Sequence, residues 1–189
     1  MIELFTNGPV VIDNTVLSNF SKANCFYLIR DTLQGIPIIT LSVKMEAQRH
    51  TVVKNDVEKA IMEKWLQVEE LRGESMLKYY YALSNRFEVI PDMNLPKLGD
   101  GEAASLAYAI HNDCCLLTDD QGPRKLANKM GITVGGSISI LYLANVEKRI
   151  INFDDCCRYF QAMKDAGANF PKKYKNYSDC IETLEKSLE

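Results

Sequence analysis

No stretch of this 189-residue sequence is both apolar enough and long enough to span a membrane. The first nine residues lack the basic segment followed by an apolar run that marks a secretory signal. Linkers, internal repeats and low-complexity segments are missing too. We therefore expect a cytoplasmic protein that folds as a single domain over residues 1–189.

An excess of positive charge is also missing. The chain has 25 acidic and 22 basic residues, which gives a formal net charge of −3 at pH 7. Composition therefore does not indicate a protein that binds polyanions over its whole surface. A nucleic-acid substrate has to be argued from a specific site.

The sequence contains no C-x-x-C pair, although it has six cysteines. Four of them form the adjacent pairs Cys114-Cys115 and Cys156-Cys157. Neighbouring side chains point to opposite faces of a strand or diverge by roughly 100° on a helix, so neither pair suits a zinc site. We expect reduced and mostly buried thiols.

Short apolar runs alternate with helical patterns along the chain, which predicts an α/β fold. The predicted strands lie at 9–13, 35–40, 88–91, 114–118 and 132–134. The predicted helices cover parts of 14–33, a segment from Ser42, a long excursion around 52–86, then 101–111, 123–130 and 137–147, and C-terminal helices around 153–189. This order predicts a central parallel sheet of about five short strands with helices on both faces, a three-layer Rossmann-like arrangement.

Acidic residues close two of these strands. Asp13 ends the first strand, and Asp119 and Asp120 follow the fourth. Ligands of open parallel sheets bind beyond the carboxyl ends of the strands, so Asp13 and Asp120 can meet there. A lone aspartate at such a place could simply cap the next helix, and the pairing is what favours a functional site.

A third acid, Glu102, lies in the first turn of a predicted helix. Acids at this end of a helix often only complement its dipole, and we assign that role to Asp100. Glu102 differs because Gly99 and Gly101 allow close approach of backbone and substrate to its carboxylate. We therefore group Glu102 with Asp13 and Asp120.

Several carboxylates in one place repel one another, so they favour a cation that holds them ionised. Oxygen ligands suit a hard divalent ion, Mg²⁺ or Mn²⁺. Such an ion polarises a phosphodiester and generates hydroxide from bound water. The cluster therefore predicts metal-assisted hydrolysis of phosphodiester bonds.

Four motifs in order resemble the PIN domain: the aspartate that closes the first strand, Gly101-Glu102 with Ala109 beyond, Leu116-Leu117-Thr118-Asp119-Asp120 with Arg124, and a Gly131-to-Leu141 run with Val134 and Gly136. The closest resemblance is to the PIN-like branch with a GE, then LLxDD, then R pattern. Each motif is weak alone, but the likeness extends from Val10 to about Gly167. The resemblance implies a Mg²⁺- or Mn²⁺-dependent endoribonuclease.

The resemblance also implies roles for particular residues. Asp13, Glu46, Glu102 and Asp120 correspond to the acidic catalytic quartet, and Asp13, Glu102 and Asp120, with Asp119 as a second candidate beside Asp120, would bind metal. Glu46 rests mainly on the resemblance, because its helix could equally present it to solvent. Thr118 and Asn14 could orient water or a phosphate, or act as cap or turn residues. Arg124 could hold a phosphate or pair with Asp119 or Asp120.

Other functions stay open. A catalytically silent PIN-like module that binds RNA or a protein is the main alternative. Val11-Ile12-Asp13-Asn14-Thr15 also resembles the nucleophile strand of haloacid-dehalogenase-type phosphatases, but Thr15 stands where their second aspartate belongs. Within the nuclease hypothesis, a toxin with an antitoxin partner, an RNA-processing enzyme and a homodimer all remain possible, as does DNA in place of RNA.

Overall fold

A computed structural model describes residues 8–84 and 97–186 of the chain. Within these ranges five short strands form one sheet: β1 Val10–Ile12, β2 Ile38–Thr40, β3 Gln67–Glu69, β4 Cys115–Leu117 and β5 Val134–Gly135. The α-helices described there are α1 Asn14–Lys22, α2 Tyr27–Thr32, α3 Leu41–Ala47, α4 Thr51–Met62, α5 Glu74–Leu83, α6 Asp100–Asn112, α7 Gln121–Lys129, α8 Ser137–Tyr142, α9 Phe153–Asp165 and α10 Tyr177–Lys186. A π-helical turn, Leu143–Glu147, continues α8.

The sheet is parallel throughout, with the strand order β3-β2-β1-β4-β5. The chain moves outward from β1 to β3, then returns to place β4 on the other side of β1. The strand order therefore reverses between β1 and β4, whose residues pair Val11 with Leu116 and Ile12 with Leu117. Crevices at such switch points are the places where open α/β sheets bind ligands.

Alternate strand residues face two separate cores, as the period of a strand requires. Ile12 and Leu117 belong to the larger core, built mainly with α1 to α4 and the C-terminal helices. Val11 and Leu116 belong to the smaller core, which the alanine-rich face of α6 packs against together with α7. The predicted fold, a parallel sheet covered by helices on both faces, is confirmed.

The helical excursion predicted around 52–86 is wrong in one respect, because the edge strand β3 divides it. Lys64 takes a left-handed backbone conformation (φ 62°) that follows the end of α4. Buried Leu66 and half-buried Val68 then alternate with polar neighbours and pack on the larger core, which is the pattern of a strand. The strand predicted at 88–91 lies outside the described residues.

The six cysteines are free thiols, and all except Cys157 are buried. The prediction that the cysteines are mostly buried is confirmed, and their reduced state stays a prediction. Among residues 8–84 and 97–186, no helix is long and apolar enough to cross a membrane.

Helix α3 carries Glu46, and its start is set by a side chain at the end of β2. Thr40 is buried and its Oγ1 accepts a hydrogen bond from Val43 N at 3.3 Å. This is an N-terminal cap, which satisfies one of the free amide groups of the first turn. The helix begins at Leu41, one residue before the predicted start at Ser42, because β2 ends at Thr40.

Replacing Thr40 with valine keeps the shape of the side chain and removes the capping oxygen. We expect Thr40→Val to lower the free energy of unfolding by about 1 kcal/mol, measured by urea denaturation. Thr32→Val is the matched control, because Thr32 Oγ1 is buried with no hydrogen-bond partner among the described residues. Thr32→Val should leave stability unchanged or raise it, and equal losses in both variants would contradict the capping role.

Candidate active site

Asp13 lies at the carboxyl end of β1, directly beside β4. Its backbone N–H donates to Leu117 O at 2.8 Å, which extends the pairing of the two strands. Its carboxylate accepts hydrogen bonds from Asn14 N at 2.8 Å, Thr15 Oγ1 at 3.1 Å and Thr118 Oγ1 at 2.9 Å. The side chain is only 2% exposed. Asp13 is therefore a fixed carboxylate that also caps α1.

Burial raises the pKa of Asp13 from its ordinary value of 3.8 to about 7. The hydrogen bond from Thr118 opposes this increase, whereas the negative charge of Asp120 adds to it. The three donors therefore do not compensate the loss of water around the carboxylate. Asp13 is held where ionisation costs free energy unless a positive charge is close.

Thr118 connects the two aspartates that the sequence singled out. Its hydroxyl donates to Asp13 Oδ2 and accepts from Asp120 N at 3.2 Å. Thr118 is fully buried, and its backbone N–H donates to Gly135 O at 3.0 Å. One hydroxyl thus holds the end of β1 and the turn after β4 in a single arrangement.

Asp120 is the carboxylate on which the other acids act. The pKa of Asp120 is raised from 3.8 to about 6, mainly by burial. The negative charge of Glu102 and a hydrogen bond with it are the next causes, followed by the charges of Asp119 and Glu46. Asp120 in turn raises the pKa of Asp13. The structure therefore brings all four residues of the predicted quartet into one electrostatic cluster.

Glu102 and Glu46 reach the cluster from different helices and bind the same helix start. Glu102 Oε2 accepts from Gly99 N at 2.8 Å, within its own first turn. Glu46, on α3, accepts from Gly101 N at 2.9 Å through Oε1. A Cβ atom at Gly101 would lie 2.5 Å from Glu46 Oε2. Gly101 thus makes room for the carboxylate of Glu46. The sequence had suggested instead that this glycine allows a substrate to approach Glu102.

Asp119 has a different environment from its neighbour Asp120. It accepts hydrogen bonds from Asn19 Nδ2 at 2.8 Å and from Ser137 through both N, at 3.0 Å, and Oγ, at 2.5 Å. Burial raises its pKa, and these bonds together with the charge of Arg124 lower it. Asp119 thereby ties α1 and the start of α8 to the end of β4.

Arg124, one turn into α7, binds the backbone at the ends of two strands. Its Nη1 donates to Thr118 O and to Gly135 O, both at 2.7 Å. A Cβ atom at Gly136 would meet Asp119 Oδ1 and would lie 3.1 Å from the same Nη1. The glycine therefore permits the close packing of the guanidinium group and the carboxylate there.

Asn14 leaves a polar atom without a partner beside Asp13. Its Oδ1 is buried and accepts no hydrogen bond from the described residues. A buried acceptor of this kind calls for a water molecule or another donor. The role of Asn14 in orienting a water molecule stays a prediction.

Sequence analysis missed three polar residues around the aspartates: Thr15, Asn19 and Ser137. Thr15 Oγ1 donates to Asp13 and accepts from Asp119 N at 3.3 Å. Asn19 was detectable as a polar residue on the buried face of α1, between Val16 and Phe20. Ser137, placed after two glycines, gave no clear local signal, because its contact with Asp119 spans 18 residues.

The donor set at this site consists of carboxylates, which suit a hard divalent cation. Their mutual repulsion and the raised pKa values of Asp13 and Asp120 fit a group that supplies positive charge. Within residues 8–84 and 97–186, no three His, Cys, Asp or Glu side chains form a ready-made metal-binding group. In this arrangement Glu46 and Glu102 bind backbone N–H groups at the start of α6.

A five-stranded parallel sheet with four interacting acids at its switch point defines an α/β protein with a carboxylate site. The family model of the PIN domain matches residues 9–185, and the chain belongs to this family. No curated protein matches the chain. A solved structure that matches is the crystal structure of VapBC2 from Rickettsia felis bound to a DNA fragment from their promoter, with 13% identity, a TM-score of 0.42, and coverage of 68% of this chain and 98% of that chain.

The burial of Asp13 predicts how stability depends on pH without metal. A carboxyl group with a higher pKa in the folded state stabilises the fold below its unfolded pKa, and this contribution is lost as pH rises through the folded pKa. For Asp13 the loss falls between about pH 4 and pH 7. In chelator, Asp13→Asn should therefore raise the free energy of unfolding at pH 8 by up to roughly 4 kcal/mol.

Urea denaturation between pH 4 and pH 8 measures this dependence. Asp120 still titrates in Asp13→Asn, so a smaller decline should remain. Asp165→Asn is the control, because Asp165 is exposed on α9 and should show the wild-type profile. A steep wild-type decline that persists unchanged in Asp13→Asn contradicts the role given to Asp13.

Gly101 predicts a steric test of the contact between α3 and α6. Gly101→Ala should displace Glu46 and lower the free energy of unfolding by roughly 2 kcal/mol. Gly99→Ala is the control, because its Cβ would lie 3.5 Å from Glu102 Oε2, an ordinary contact, and should cost at most about 1 kcal/mol as a lost cap. In a Glu46→Ala background Gly101→Ala should no longer be costly, and a cost that stays the same there argues against the contact.

Proposed function

We propose that this PIN domain is a ribonuclease that hydrolyses phosphodiester bonds with a divalent metal ion. The observation that supports it most is the electrostatic convergence of Asp13, Glu46, Glu102 and Asp120 at the switch point of the sheet. Burying interacting acids is unfavourable for folding alone. Their presence is accounted for by a ligand that needs them.

Mg²⁺ or Mn²⁺ is the proposed ion, and Asp13, Glu102 and Asp120 are the residues that would hold it. When bound, the ion would lower the pKa of a water molecule and polarise the phosphodiester. Asp120 ranks before Asp119 as a ligand, because the charges of Glu102 and Glu46 act on Asp120, whereas Asp119 is bound by Asn19 and Ser137. Asp119 remains a second candidate ligand, and its contacts suit it to positioning the turn that carries Asp120.

The side chains around the acids would order the reactants. The Thr118 hydroxyl donates a hydrogen bond to the Asp13 carboxylate and accepts one from the backbone N–H of Asp120. It therefore fixes the positions of these two residues relative to each other. The buried Oδ1 of Asn14 has no partner among the described residues, so it could accept a hydrogen bond from the attacking water. Glu46 holds the start of α6 through Gly101 N and adds negative charge near Asp120. Arg124 is half-buried, and we assign it the phosphate next to the acids.

RNA as the substrate is supported by membership of the PIN-domain family. The alternative is a silent module that uses the same fold to bind RNA or a protein. Retention of four interacting acids favours a working site over this alternative, because a binding module has no use for them. A toxin with an antitoxin partner, or a homodimer, stays a prediction that size-exclusion chromatography of the chain with and without a candidate partner would measure.

Asp120→Asn tests the proposed function. We expect wild-type protein to cleave single-stranded RNA with Mg²⁺ or Mn²⁺ and to lose this activity in chelator. Asp120→Asn should reduce cleavage at least about 100-fold, a range typical of groups that stabilise charge in a transition state. The same variant should lose most of the metal-dependent increase in melting temperature.

Asp165→Asn is the matched control, an exposed aspartate far along the chain from the acids, and should keep full activity. Structured RNA and DNA substrates measured in parallel define the substrate. A wild-type chain that binds RNA tightly but cleaves none with either ion supports the silent module. Cleavage that is unaffected in Asp120→Asn overturns the nuclease hypothesis.

A further inference from the structure

A cavity of about 330 Å³ lies beside the acidic site, and its lining includes Asp119 but neither Glu46 nor Glu102. Asp119 and Arg124 are among its lining residues, and α7, the start of α8 and the segment between α9 and α10 contribute most of the others. The volume is at the lower end of the range for pockets that bind small molecules. It is therefore large enough for a single planar group with a polar edge.

The walls of the cavity carry the chemistry that recognises a base. Phe170, Tyr174 and Ile138 supply ring and apolar surface, and Asn128, Asn169 and Ser139 supply donors and acceptors. Unpaired bases in single-stranded nucleic acids bind by stacking on aromatic rings and by hydrogen bonds to their edges.

The aromatic wall is held in place by packing and by a turn. Phe170 stacks on Phe160 of α9, with ring centroids 5.1 Å apart and an interplanar angle of 11°. Tyr174 N donates to Pro171 O at 2.9 Å, and Lys175 N donates to Asp179 Oδ2 at 2.7 Å. The rings are therefore preorganised, which reduces the entropy lost on binding.

Positive charge lies at and near this cavity although the chain has a net negative charge. Lys125 lines it from α7, beside Arg124. Lys172, Lys173 and Lys175 are exposed on the segment that carries Tyr174. Lys173 lies over the Tyr174 ring, 5.1 Å from its centroid, so a base would stack on the opposite face. These cations can contact the phosphates on either side of a bound base.

We propose that this cavity binds the base of a nucleotide adjacent to the cleaved phosphate in a single-stranded nucleic acid. Asp119, which lines the cavity, is the neighbour of Asp120 in the chain, so one strand can occupy the cavity and reach the acids. The proposal rests on the proposed function for what happens to that strand. Binding of the base itself requires no cleavage and can be measured separately.

The test measures binding of single-stranded RNA and DNA hexamers in chelator, by fluorescence anisotropy, with a 2-aminopurine base to report stacking. Tyr174→Leu should weaken binding about tenfold and abolish the quenching of 2-aminopurine. Tyr174→Phe, which keeps the ring, should restore both. Tyr159→Leu is the matched control, because Tyr159 is also half-buried and lies beneath a cation, Arg158, outside the cavity.

A second pair of variants tests the charge. Lys125→Gln should weaken binding and reduce the salt dependence by roughly one phosphate contact. Lys129→Gln, exposed on the same helix and not among the described residues that line the cavity, should do neither. Lys125 is exposed, so this pair gives an answer even where a change at Tyr174 disturbs folding.

The outcomes separate this proposal from the proposed function. If wild-type protein binds no hexamer, or if Tyr174→Leu and Tyr159→Leu lose hexamer affinity equally, the cavity does not bind a base. The proposed nuclease function would still stand if RNA cleavage is lost in Asp120→Asn. If the wild-type chain cleaves no RNA but binds hexamers, and Tyr174→Leu loses this binding, the nuclease proposal is rejected and the base-binding proposal is supported. Unchanged hexamer affinity in Tyr174→Leu also overturns the proposal.

Discussion

The burial of Asp13 at the end of the central strand is the constraint around which this site is arranged. A carboxylate placed between β1 and β4 loses its water, and three hydrogen bonds do not compensate that loss. The same three bonds nevertheless give it one position, because they come from the first turn of α1 and from Thr118. Because the Thr118 hydroxyl also accepts a hydrogen bond from Asp120 N, the position of Asp120 is fixed relative to Asp13. The electrostatic cost of the cluster and the precision of its geometry thus have the same origin.

Close packing at two glycines brings the remaining acids within reach. Gly101 lets Glu46 approach the start of α6, and Gly136 lets Asp119 and Arg124 pack at the ends of β4 and β5. Any side chain at either position would push a charged group away from the backbone N–H or carbonyl that it binds. The sheet determines where the strands end. The contacts at Gly101 and Gly136 then determine how far apart the charged side chains near those ends lie.

Asp119 and Asp120 are neighbours in sequence, but their side chains lie in two different electrostatic environments. Asp120 interacts with the acids on α3 and α6, whereas Asp119 binds neutral donors and lies near Arg124. Beyond Asp119 the surface becomes basic and aromatic along α7 and the segment after α9. An acidic site that could hold a cation therefore adjoins a surface suited to the bases and phosphates of a nucleic acid. This local division explains how a chain of net charge −3 can be proposed to act on RNA.

Sequence by itself determined the features that depend on local order along the chain. Alternating strands and helices predicted the parallel sheet, and acids that directly follow strands, such as Asp13 and Asp120, had to lie at its carboxyl edge. Glu46 was identified only through family resemblance, since its contact with Gly101 spans 55 residues. Tertiary structure alone decided that contact, the ties of Asp119 to Asn19 and Ser137, the edge strand β3 and the cavity beside Tyr174. These features arise from packing between elements distant in the chain, which the period and composition of a single segment do not encode.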